Sequence, residues 1–181
     1  MREFLSVVLI FFVFSNFNCT QEKKPEELTA KDSLLQKYPK EYQTLIGLEF
    51  GPDSFPATYE EKTGYVMGFL EDDEYIIDHV SHRSDELIWF CKLTRRDAEG
   101  RPFLRILDIL ILPPLEQEEQ IFLGTCRYMT VEDPEIVAIV KLIQNEVSAE
   151  VIRAWRANRQ TKLFEEVSAS EVKCVDESLF L

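Results

Sequence analysis

The chain lacks the short signatures on which many enzymes and cofactor sites are built. It has no G-x-S-x-G, no P-loop, no G-x-G-x-x-G and no H-E-x-x-H, so no nucleophile elbow, phosphate cradle, dinucleotide fingerprint or zinc-binding helix is written into it. No C-x-x-C occurs and the four cysteines are dispersed, which argues against a thiolate metal site. Histidine is confined to His79 and His82, and base is scarce, with 20 Lys and Arg against 33 Asp and Glu and a formal charge of −13. Binding a phosphate backbone draws on clustered Lys and Arg, so this field argues against nucleic acid as a partner. There is no internal repeat, no catalytic residue is assigned, and no cofactor is expected. What is abundant is core material: hydrophobic residues make up 45% of the chain and aromatics 12%, well beyond what a disordered chain carries.

No apolar run is longer than the eleven residues 4–14, FLSVVLIFFVF, which follow Arg2. That is the length of a signal-peptide hydrophobic region and falls short of the roughly 20 residues needed to span a bilayer. Cys19 stands just after it, and the polar stretch TQEKKPEELTAK, Thr20 to Lys31, follows. This order resembles the leader of a bacterial lipoprotein, although Asn16, Phe17 and Asn18 depart from the leucine and small residues that the family places before its cysteine. The resemblance covers residues 1–19 and implies cleavage before Cys19, a diacylglycerol on its thiol and attachment to a membrane, since two or more acyl chains hold where one is marginal. The expected organisation is a signal peptide at 1–18, a lipid-attachment cysteine with a flexible tether at 19–31, and a single globular domain at 32–181. The location implied is the cell envelope, facing the periplasm or the exterior. Ordinary secretion without a lipid is the alternative, and no A-x-A-like cleavage site is evident for it.

With Cys19 committed to a lipid, Cys91, Cys126 and Cys174 remain. In an oxidising compartment the simplest arrangement is one disulfide and one buried thiol. Cys91 lies in the apolar LIWFCKL, where a cysteine behaves as a small hydrophobe, so the expected pair is Cys126 with Cys174.

Residues 31–46, KDSLLQKYPKEYQTLI, carry Leu34, Leu35, Tyr38, Tyr42, Leu45 and Ile46 at helical spacing, with Asp32 or Ser33 to cap the start and Pro39 to kink or divide the helix. A loop with buried aromatics is expected between Gly47 and Gly64, where Gly51-Pro52 and Pro56 punctuate the chain. From Gly64 the runs YVMGFL, YIIDHV, ELIWFCKLTRR, FLRILDILIL and IFLGTCRYM read as strands, with RRDAEGR as a hairpin loop. Leu87, Trp89, Cys91 and Leu93 are expected on one face of their strand and Ile88, Phe90 and Lys92 on the other. From Asp133 the pattern fits either a helix begun by Asp133-Pro134-Glu135 or β-branched strands. This C-terminal third, with its AWRAN segment, loosely resembles the ends of small exported bacterial proteins, which implies strands. The expected fold is α+β: one small domain with an antiparallel sheet of five to seven strands and an N-terminal helix.

Two constellations bear on chemistry. His79 and His82 lie three apart among Asp72, Asp73, Asp78, Asp85 and Glu86; on a helix they would share a face and could hold a metal, whereas on a strand they point to opposite sides. A solvated loop with surface histidines is the favoured reading. Arg153, Trp155 and Arg156 gather base around an aromatic, as in interface hot spots and headgroup sites, or else Trp155 is core and the bases balance neighbouring acids. The expected function is a non-enzymatic binding or structural role in the envelope, with a membrane and an envelope protein as partners. A metal-dependent or hydrolytic enzyme using His79 and His82, and a secreted binding domain without lipid, are the alternatives.

Overall fold

The computed structural model describes residues 35–67, 74–142 and 148–175. The chain divides into two units, Met1–Lys37 and Tyr38–Leu181; the fold below is that of the second. The leader, Cys19, the tether and the caps Asp32 and Ser33 lie outside the described residues.

The second unit is built almost wholly of antiparallel strands. β1 (Glu49–Phe50), β2 (Glu60–Val66), β3 (Tyr75–His82), β4 (Asp85–Arg96) and β5 (Pro102–Ile111) form one sheet in the order β1-β5-β4-β3-β2. β6 (Glu119–Leu123), β7 (Cys126–Tyr128), β8 (Val131–Glu132), β9 (Ile136–Lys141), β10 (Ser148–Asn158), β11 (Leu163–Val167) and β12 (Val172–Val175) form the other, with β10 paired to β9, β11 and β12. β3 and β4 are joined by the two-residue turn Arg83-Ser84, with Arg83 at φ 56°. The β4–β5 turn spans Asp97 to Arg101, where Gly100 takes φ 82° and Asp97 Oδ1 accepts from the backbone N–H groups of Glu99 and Arg101. This is the hairpin expected from RRDAEGR.

Alternation along β4 sorts the core into layers. Ile88 and Phe90 join Ile77 of β3 and meet Leu123, Val137, Ile139, Trp155 and Phe164 of the second sheet. Leu87, Trp89 and Cys91 face the other way, beneath Tyr38, Tyr42, Leu45 and Phe50, with Leu93 packed against the same cluster. A third cluster, with Cys126, Ile136, Ala138, Ala154, Val172 and Cys174, lies within the second sheet, which curls on itself. The faces expected for the hydrophobic residues of β4 are those observed.

The expected α+β class is overturned. The α-helix described from end to end, α1 (Lys40–Gln43), is four residues long and preceded by Pro39 in an extended conformation at ψ 147°. A single turn is too short to be stable alone; Tyr38, Tyr42 and Leu45 do share a face, but that face is held by packing on the first sheet. Among the described residues, twelve strands in two sheets replace the single sheet of five to seven. Beyond Asp133 the described residues form strands at Ile136–Lys141 and Ser148–Asn158, and Ile136–Val140 are all buried, with cover on every side as an interior strand receives it. The run IFLGTCRYM is two strands, parted at Gly124 with φ 66°, where an added Cβ would meet the Tyr65 ring at 2.1 Å.

Candidate ligand pocket

The outer face of the first sheet carries the most distinctive chemistry. Across it, from β2 through β3 to β5, runs a cavity of about 370 Å³ walled by Val66, Ile76 and Leu104, with Phe50 and Phe55 brought from the segment around β1. Two carboxyls line it: Asp78 of β3 and Glu61 of β2. Asp78 is only 4% exposed. It is there because β3 points residues 76, 78, 80 and 82 to this side, so an aspartate in the middle of YIIDHV is carried into the apolar layer.

Room for that carboxyl comes from the strand beside it. Gly64 is the cross-strand partner of Asp78, and a Cβ at position 64 would stand 2.6 Å from Asp78 Oδ1. A glycine inside a strand marks such a close approach. On the other side lies the Cys91 thiol, which favours the ionised carboxyl. Burial, reinforced by the Glu61 charge and only partly offset by the Cys91 thiol, pushes the Asp78 carboxyl up to about 7. Burial also drives the Cys91 thiol well above its ordinary value, so it is an inert donor rather than a nucleophile.

Aromatic rings support the site from within the layer. Phe55 stacks on Trp89 with centroids 5.4 Å apart at 25°, and Phe50 meets Phe55 edge-on at 5.5 Å. These rings fix the position of the loop that roofs the cavity.

The two histidines lie on β3, not in a solvated loop, and face opposite sides. His79 Nε2 is 2.6 Å from Glu86 Oε2. His82 is buried, donates from Nδ1 to the Thr58 carbonyl at 2.8 Å, and stacks on Tyr59 with centroids 4.4 Å apart. The structure does not bring the pair together. Among the described residues no group of three or more His, Cys, Asp or Glu side chains is arranged to hold a metal ion.

Arg153, Trp155 and Arg156 are likewise divided by their strand. Trp155 is 5% exposed and part of the inter-sheet core. Arg153 lies over its ring, 4.8 Å from the centroid, and pairs with Glu166 at 2.8 Å. Arg156 is on the far side, paired with Asp133 and 4.5 Å from the Tyr128 ring. No single basic-aromatic surface results. The sulfurs of Cys126 and Cys174 lie 2.07 Å apart, compatible with the disulfide expected, and Cys91 is a free buried thiol.

No family model, curated protein or solved structure matches this chain. The functional reading therefore rests on geometry. Sequence reasoning named Asp78 only as one acid around the histidines and missed its pairing with Gly64. The available signal was an aspartate breaking an apolar strand run, beside a glycine breaking another.

Proposed function

We propose that this protein is a non-enzymatic binding domain of the cell envelope, tethered by a lipid on Cys19, and that the cavity at Asp78 is its ligand site. The observation that carries the binding role is a carboxyl buried in the wall of an apolar cavity. Pockets that take small molecules are mostly apolar with a few placed polar groups, and strongly shifted carboxyls gather at such sites. The leader and polar tether support the envelope location, and the Cys126–Cys174 pair is consistent with an oxidising compartment. The histidine-based enzyme reading gains no support, since its two imidazoles diverge.

Two measurements test the proposal. Mass spectrometry of the mature N-terminus is expected to find a diacylglyceryl Cys19, and Cys19→Ser to lose both the lipid and the membrane fraction; an unmodified N-terminus elsewhere removes the anchor. For the pocket, a set of small single-ring fragments, charged and neutral, is expected to include members that shift the amide resonances of Gly64, Ile76 and Asp78. Fragments that leave all three unmoved would remove the ligand site.

A further inference from the structure

We propose that the ligand of this pocket is a small organic cation, an amine carried on an apolar body about the size of an aromatic ring. The inference rests on the reading of the cavity as a ligand site and adds the chemistry of what enters it.

Among the described residues that line the cavity, the ionisable side chains are Asp78 and Glu61, both acids, and there is no Lys, Arg or His. A carboxylate set into an apolar wall is costly unless a countercharge arrives. The Cys91 thiol is a weak donor, and Glu61 adds charge of the same sign. A ligand ammonium supplies what the wall lacks. An anionic ligand would face two carboxylates, and a neutral one would leave the Asp78 charge uncompensated. Phe50 and Phe55 add aromatic surface, which favours both a cation and its apolar body. The volume, about 370 Å³, lies at the small end of ligand pockets and suits a single-ring compound.

The geometry couples binding to protonation. Asp78 faces Glu61 on β2 and the Cys91 thiol on β4, while the β1 loop and β5 bring only glycine, proline, phenylalanine and leucine to the cavity. An entering ammonium expels the proton that Asp78 holds below about pH 7. Affinity is expected to fall by close to tenfold for each pH unit below that point and to level off above it.

The test is calorimetric titration of the full chain at pH 8 with three probes of similar shape: phenethylamine, 2-phenylethanol and 3-phenylpropionate. The amine is expected to bind at least tenfold more tightly than the alcohol, and the carboxylate not to bind. Asp78→Asn should weaken the amine at least tenfold. Glu61→Gln, a change at an exposed rim position that leaves the fold intact, should weaken it two- to threefold, so the outcome does not depend on the folding of the buried variant. Equal affinity for alcohol and amine would overturn the cation while keeping the pocket. Amine affinity unchanged in both variants, or flat between pH 6 and pH 8, would also overturn it. If none of the three probes binds, the pocket reading falls as well.

Discussion

At Asp78 the surroundings raise the proton affinity of the folded state above that of the unfolded chain, and the consequence for stability has a definite sign. Between the ordinary aspartate value near 4 and the folded value of about 7, the folded protein holds a proton that the unfolded chain has lost. Stability from this group is therefore complete below about pH 4, declines as pH rises toward 7 and is flat beyond, with a slope on the order of 1 kcal/mol per pH unit. Glu49, held low by its hydrogen bond to Arg105, and Glu165, held low by Asn158, act in the opposite direction at more acid pH. The difference between wild type and Asp78→Asn isolates the group: in chemical denaturation, the wild type is expected to lose stability relative to the variant between pH 4 and pH 7. Gly64→Ala presses a methyl against the same carboxyl and is expected to cost about 1–3 kcal/mol by denaturation at pH 5. Little of this was legible in the sequence, because a carboxylate count cannot distinguish one buried acid from thirty-two others. The environment that matters is assembled from residues 64, 78 and 91, and their meeting depends on strand register.

Among the elements, β5 shows how register is bent to a purpose. Phe90 pairs with Asp108 and Cys91 with Ile106, so Leu107 is an extra residue in the ladder. Such a bulge moves one residue out of phase. Ile109 and Ile111 then continue the outer face begun by Leu104 and Ile106, while Leu107, Asp108 and Leu110 turn to the inter-sheet side. There Asp108, fully buried, accepts the Phe164 N–H at 2.5 Å through Oδ2, binding β11 of the second sheet to the first. Asp108→Ala leaves that amide without its acceptor and is expected to cost about 1–3 kcal/mol, read as lower stability with faster hydrogen exchange at Phe164. β3, β4, β5 and the β4–β5 hairpin were legible because alternation, Gly100 and Pro102 are local signals, whereas β1 and most of β2 fall in the span expected to be a loop. The bulge was not, since a phase change inside an apolar run looks like unbroken hydrophobicity. Over residues 38–46 the helical reading misled for a related reason: apolar spacing of three and four is satisfied equally by a short irregular segment packed on a sheet.

For the whole molecule, the strongest cross-connection is at Cys126 and Cys174, 48 residues apart in sequence. Replacing both by serine is expected to lower stability by about 2–4 kcal/mol, measured as a shift in urea midpoint against wild type, with a similar loss on adding a reductant. This pairing was legible from cysteine arithmetic and the apolar setting of Cys91. The sandwich of two sheets was not, because it depends on β10 pairing with β9, β11 and β12 at once, and nothing in an isolated strand declares three partners.

The place of β12 also governs how the chain can fold as it emerges. β12 is the last described strand, yet it lies inside its sheet, between β10 and β7. A chain delivered N-terminus first can complete the first sheet from residues up to 111, but β7 has no neighbour on that flank until residue 175 has arrived. During that interval the ladder has a gap, and an open edge of this kind invites pairing with other chains. Closure is thus timed by the arrival of β12, and a chain stopped short of that strand would carry both an unpaired edge and an unpaired Cys126.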